Sequence, residues 1–219
     1  MKLDIKKLQS IPKTARFLAD SVLAKLREGK KVLLFLTGGS SVPVGIAFSK
    51  MLKNSPHSNL TITLTDERYG EMRHTDSNCG KLTREGFDLP EAKIIPVLSG
   101  IDMEATTQKF NNTLKNELQS ADYKIGLFGI GADGHTAGIL PGSVAVSSEK
   151  MVEGYHTEEF DRITMTIKAI SMLDEAVVFL KDATKKEALE KLQLEVSVFE
   201  QPAQALKKVP KLTIFTNFE

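Results

Sequence analysis

The 219-residue sequence carries a single cysteine, Cys79. That excludes an internal disulfide and leads us to expect a reducing compartment. No cluster nearby would activate the thiol, so it reads as an ordinary small side chain. Net charge is also scarce: 29 basic residues stand against 28 acidic ones. Such a balance gives no bulk attraction to nucleic acid or to a membrane surface. No apolar run approaches the roughly 18 residues of a membrane span. Met1-Lys2-Leu3-Asp4 lacks the apolar centre of a secretory leader, so a cytoplasmic location is expected. There is no Cys/His cluster, no H-E-x-x-H pair and no dense carboxylate group, so no metal is expected. Repeats, low-complexity tracts and Pro/Gly/Ser linkers are missing as well. The length suits one sizeable core, and we expect one domain over 1–219 with a small extra lobe or long loops.

What the chain does have is a regular alternation of strand and helix patterns. Ser10 can cap a helix with Pro12 in its first turn, running to Arg27 and ended by Gly29. Phe17, Leu18, Val22 and Leu26 form its apolar stripe. Val32 to Leu36 is continuously apolar, as a strand covered on both faces must be. Pro43 opens a helix through Leu52, and Leu60–Leu64 reads as the next strand. A short helix is expected from Asn78 to Glu85, a short strand over Ile94–Val97, and a helix from an Asp102 cap to Leu118. Further strands are expected over Ile125–Ile130, Arg162–Ile167, Ala176–Leu180 and Leu212–Phe215. Thr184 and Glu187 have the spacing of a capping box at the head of a helix through Leu194. From Ser143 to Phe160 the pattern is weakest. The alternation predicts an α/β fold, a doubly wound, mostly parallel sheet with helices on both faces.

Three stretches carry chemistry. The first is the turn after Ile130, where Gly129, Gly131, Gly134 and Gly138 surround Asp133 and His135. A glycine-rich turn at a strand's carboxyl end lies where open α/β sheets bind ligands. His135 can exchange a proton near neutral pH. Asp133 either orients that imidazole or belongs only to the turn. The second stretch is Thr37-Gly38-Gly39-Ser40-Ser41, between a buried strand and a helix. It is either an anion site built from backbone N–H groups and hydroxyls or a tight turn with a serine cap. It matches neither G-x-G-x-x-G nor the Walker sequence, so a nucleotide is not indicated. The third is Asp66-Glu67-Arg68, which either grips an anion through Arg68 or forms a surface ion-pair cluster. Lys186, in the first turn of a helix, opposes the helix dipole; it either faces an anion or is simply solvated.

Together these pieces resemble the 6-phosphogluconolactonase family, within the glucosamine-6-phosphate isomerase/6-phosphogluconolactonase superfamily. The resemblance runs from about residue 30 to about 190. It rests on Thr37-Gly38-Gly39-Ser40, Asp66-Glu67-Arg68, Asp76-Ser77-Asn78, the run Gly129 to Ala137, Arg162-Ile163-Thr164, and Phe179-Leu180 with Lys186 and Ala188 downstream. It implies hydrolysis of a small phosphorylated sugar lactone, 6-phospho-D-glucono-1,5-lactone, without metal or cofactor. His135 matches the proposed general base, with Asp133 beside it. Gly38, Gly39, Ser40, Asp66, Arg68, Arg162 and Lys186 match substrate-binding segments. Three departures stand out: Gly138 replaces the family's usual serine, Ala183 its glycine before the lysine, and Thr216-Asn217 its usual Leu-Asp. A glucosamine-6-phosphate deaminase would share the phosphate loop and the Asp-Gly-His segment. That family continues with an Asn-Glu pair, which Thr136-Ala137-Gly138-Ile139-Leu140-Pro141 lacks. A non-catalytic sugar-phosphate sensor would keep the anion site but have no need of His135.

Overall fold

The computed structural model describes residues 3–219; Met1 and Lys2, which open the segment read as lacking a leader, lie outside the described residues. The first half of the chain runs β1 (Asp4–Lys6), α1 (Ile11–Arg27), β2 (Val32–Leu36), α2 (Val42–Leu52), β3 (Leu60–Leu64), β4 (Asp66–Arg68), α3 (Asn78–Arg84) and β5 (Lys93–Ile94). The second half runs α4 (Met103–Ser120), β6 (Tyr123–Phe128), α5 (Val144–Ser147), β7 (Val152–Tyr155), β8 (Arg162–Met165), α6 (Ile167–Ile170), β9 (Glu175–Leu180), α7 (Lys186–Leu192) and β10 (Lys211–Thr216).

Seven strands form one sheet in the order β1-β10-β9-β6-β2-β3-β5, and each neighbouring pair is parallel. Every residue of β2 and of β9 is buried, so both faces of the sheet centre are covered. Phe35, Phe48, Phe128 and Phe179 are among the largest fully buried side chains of the core. Burying each such side chain contributes about 1.5–3 kcal/mol. The expected extra lobe is a second sheet, β4-β8-β7, with antiparallel pairing.

Helix limits follow local chemistry. Ser10 caps α1 by accepting from the Lys13 N–H at 3.4 Å. At its other end Gly29 takes φ +76°, Gly29 N donates to Leu26 O at 2.9 Å, and Lys30 N donates to Lys25 O at 3.1 Å. That pair of bonds closes the helix around a left-handed glycine. Asp102 caps α4, accepting from Ala105 N at 2.9 Å. Its buried Thr106, Phe110, Leu114 and Leu118 recur at a four-residue spacing.

Some expectations shift. The strand expected over Ile94–Val97 pairs only at Lys93–Ile94, because Pro96 has no N–H for a ladder. The capping box at Thr184 and Glu187 does not form. Asp182 is the cap, accepting from Thr184 N at 3.2 Å and from the Thr184 hydroxyl. A 3-10 turn, Ala183–Lys185, then precedes α7, which ends at Leu192 rather than Leu194.

The strand order sets the site. From β2 the chain moves outward to β3 and β5, then returns to lay β6 on the other side of β2. The loops leaving β2 and β6 therefore diverge and open a crevice at the carboxyl ends of the sheet.

Candidate active site

A cavity of about 370 Å³ occupies that crevice. Thr37, Gly38, Gly39 and Ser40 line it from the end of β2; Gly129, Ile130, Gly131, His135, Ala137 and Gly138 from the end of β6. Asp66 and Arg68 come from β4, Asn78 from α3 and Arg162 from β8. The second sheet thus supplies one whole wall.

The loop after β2 runs through a 3-10 turn, Gly39–Ser41, straight into α2. No side chain caps that helix. Ser41 is buried and turns its hydroxyl to Phe179 O at 3.5 Å instead. The turn is therefore not the serine-capped one: Val42 N donates to Gly39 O through the 3-10 turn, and Pro43 brings no N–H to the first turn of α2. Gly38 is required by close approach: a Cβ there would lie 2.0 Å from Asn78 Oδ1. Asn78 is itself held, with Nδ2 donating to Asp66 O at 3.0 Å and to Asp66 Oδ2 at 3.4 Å.

Glu67, fully buried between two cavity residues, organises this wall. Its carboxylate accepts from Arg68 N (2.9 Å), Asn78 N (2.6 Å), Cys79 N (2.9 Å) and the Ser77 hydroxyl (3.0 Å). Burial pushes its carboxyl up from the ordinary value, and these donors pull the other way. Burial likewise raises the Cys79 thiol, which supports reading it as an unreactive side chain.

Asp133 and His135 meet across the glycine turn, Nδ1 to Oδ1 at 2.6 Å, and Asp133 also accepts from the His135 N–H at 3.1 Å. The bond to His135 holds the Asp133 carboxyl below its ordinary value. An ionised carboxylate only accepts, so Nδ1 is the donor, and the neutral ring in this tautomer carries its lone pair on Nε2. Gly131 N and Gly134 N are spent inside the turn, on His135 O and Gly131 O. They are not free to stabilise an oxyanion. Next comes a reversal with Ala137 at φ +52° and Gly138 at φ +72°, closed by Ile139 N donating to Thr136 O at 2.7 Å. Two successive positive φ values match a type I′ turn. Thr164 and Tyr155 of the second sheet donate to the carbonyls of Ala137 and Gly138 and fix it in place.

Arg68 and Arg162 face each other in register across β4 and β8. Arg68 Nη1 donates to Asp76 O at 3.0 Å, and Arg162 Nη1 lies 4.0 Å from Asp66 Oδ2. The Nε atoms of both arginines are buried without a partner. Lys186 is exposed and does not line the cavity, whereas its neighbour Lys185 does. The 3-10 turn ahead of α7 is the cause, since neighbouring residues at a helix start point about 100° apart. Asp182 and Glu159 also line the cavity and were not foreseen. Nor was Asn78, whose neighbour Ser77 caps α3 by accepting from Gly80 N at 2.9 Å. Among the described residues no group of three or more His, Cys, Asp or Glu could hold a metal ion. No helix among them is long and apolar enough to cross a membrane.

Known proteins share this arrangement at the level of fold. The chain is 29% identical over 145 residues to a 6-phosphogluconolactonase of Synechocystis sp., a match covering 61% of this chain and 60% of that protein. It is 26% identical over 212 residues to a 6-phosphogluconolactonase of Neisseria meningitidis, covering 92% and 87%. A crystal structure of a 6-phosphogluconolactonase from Shewanella baltica superposes with a TM-score of 0.84 at 22% identity, covering 98% of this chain and 97% of that one. The family model for glucosamine-6-phosphate isomerases/6-phosphogluconolactonase spans residues 6–214, which takes in every cavity residue named above. By that match the chain belongs to the glucosamine-6-phosphate isomerase/6-phosphogluconolactonase family.

Proposed function

We propose that this chain hydrolyses 6-phospho-D-glucono-1,5-lactone to 6-phosphogluconate in the cytoplasm, acting as one catalytic domain. The observation that carries the reading is the Asp133–His135 pair beside a cavity whose far wall bears two arginines with unpartnered Nε atoms. A lactone is an activated ester, so its attack by water needs a base and a fixed substrate more than a covalent nucleophile. In this reading Nε2 of His135 takes a proton from water as the water oxygen bonds to the lactone carbonyl carbon. The tetrahedral adduct then expels the ring oxygen, which takes that proton and becomes a hydroxyl. The carboxylic acid so formed releases its remaining proton to solvent and stands as a carboxylate. Asp133 holds the imidazole tautomer and offsets the charge of the imidazolium. The loop Gly38-Gly39-Ser40, with Arg68 and Lys185, is assigned to the phosphate; Arg162 and Asp66 are assigned to the adjoining sugar hydroxyls. No step calls on a cofactor.

Hydrolysis of the lactone by purified protein, corrected for spontaneous ring opening, tests the activity. Ammonia release from glucosamine 6-phosphate is the control for the deaminase alternative. The expected result is lactone turnover with no ammonia release. Tight binding of 6-phosphogluconate without turnover of either substrate would favour a sensor and overturn the proposal.

A further inference from the structure

We propose that Phe160 is a positioning residue for the two arginines, a neutral plate that holds both guanidinium groups in the cavity wall without competing for the substrate's anion. The inference rests on the reading of this cavity as an anion site.

The problem it answers is electrostatic. Arg68 and Arg162 are directly opposite each other in an antiparallel pair, where like charges destabilise a sheet. Carboxylates do little to relieve this. Among the described residues Arg68 has no carboxylate within 4.0 Å, and Arg162 has only Asp66, at 4.0 Å. A closer acidic partner would neutralise the pair, but it would also occupy the guanidinium faces and repel an incoming phosphate or carboxylate. An aromatic ring avoids that conflict. Its face carries partial negative charge and attracts cations, yet it has no net charge to repel an anion.

The ring is where this requires it. Its centroid lies 4.6 Å from the Arg68 guanidinium carbon and 5.9 Å from that of Arg162, both within cation–π range. The loop bearing it is pinned to itself and to the same strands. Phe160 N donates to the Thr157 hydroxyl at 3.1 Å, and that hydroxyl donates to Phe160 O at 2.6 Å. The next residue, Asp161, accepts at its carbonyl from Tyr69 N at 2.7 Å. Tyr69 follows Arg68 and Asp161 precedes Arg162, so ring and arginines belong to one hydrogen-bonded unit.

The test compares Phe160→Leu, which keeps bulk but removes the π face, with Phe160→Tyr, which keeps the face. The ring is only partly buried, so both variants should fold, and thermal unfolding checks this. Kd for 6-phosphogluconate and for inorganic phosphate is measured by calorimetry, and KM and kcat with the lactone. Phe160→Leu is expected to raise Kd and KM by about 3- to 10-fold, the size of one or two cation–π contacts at a partly exposed site, with kcat changed less than about twofold. Phe160→Tyr should restore wild-type Kd to within about twofold. Unchanged Kd in Phe160→Leu, or an equal loss in both folded variants, overturns the proposal. If the wild-type protein does not hydrolyse the lactone, the assigned activity falls and the Kd comparison alone decides this inference. If it binds neither anion, both fall.

Discussion

Replacing Gly38 by alanine should damage this protein through one identifiable contact. The new Cβ would lie 2.0 Å from Asn78 Oδ1 and 2.4 Å from its Cγ. Ordinary contact distance is well above 3 Å, so one group must move by more than an ångström. Asn78 cannot swing aside freely. Its amide donates to Asp66, and its backbone N–H donates to Glu67 at 2.6 Å. Overpacking costs about 1–3 kcal/mol, and a hydrogen bond given up in the process costs about 1 more. A net loss of about 2–4 kcal/mol corresponds to a Tm lowered by about 4–16 °C in a chain of this size. The control is Gly39→Ala. That residue has φ +62° and open space around its Cβ, so the substitution costs only the left-handed backbone, about 1–2 kcal/mol. The two costs have different origins, and Asn78→Ala separates them. Combined with Gly38→Ala it should recover about 1–2 kcal/mol of coupling; combined with Gly39→Ala it should recover none. Thermal unfolding of the five variants completes both cycles. A Gly38→Ala protein with unchanged Tm, or one that Asn78→Ala does not rescue, would refute the reasoning.

His135→Ala should lower kcat by on the order of 10²–10⁴ while 6-phosphogluconate still binds; turnover near the wild-type rate after background subtraction would remove the base from the mechanism. Lys185→Ala should weaken 6-phosphogluconate binding by about 10-fold or more in calorimetry, the size of one charged hydrogen bond, and Lys186→Ala by less than about threefold. The reverse order would return the phosphate contact to Lys186. The Asp133 carboxyl is lowered on folding, so its pairing adds stability above the ordinary aspartate pKa, about 3.9, and that stability is lost as pH falls through the lower folded value. The Tm difference between wild type and Asp133→Asn should therefore hold steady from pH 7 to about 5 and shrink below about pH 4; a difference that widens on acidification would contradict this. The pair is half-exposed, so the difference will be small.

The features that proved legible were those written in local pattern. Apolar runs of strand length bounded by turn residues made β2, β6 and β9 readable, and shorter runs interrupted by threonine did the same for β3 and β10. Ser10, Gly29 and Asp102 marked helix ends by chemistry acting within a turn. Long-range pairing was not legible. β1 is three residues with no apolar pattern and exists because it pairs with β10. β4 looked like a polar loop because its residues serve as cavity wall and buried clamp rather than alternating in and out. β7 lay in the stretch without clear periodicity, where Gly154 packs against Thr107 and Asn111 takes the place of a further strand by accepting from Met151 N and Val152 N. At the site, the glycine turns and the arginines could be found from sequence. That Lys185 rather than Lys186 lines the cavity could not, because the 3-10 turn ahead of α7 sets where each lysine falls. Phe160 could not be found either, since only folding sets it between two arginines.

The positive φ of Gly138 and its place against Asp66 have a consequence for inheritance. A Cβ at 138 would lie 2.7 Å from the Asp66 Cβ and 2.8 Å from its Oδ2. The two positions, 72 residues apart, occupy one volume and cannot drift independently. A variant that places serine at position 138 must also reseat or replace Asp66. The place of the Asp66 carboxylate in the cavity wall is thus set by a residue that has no side chain at all.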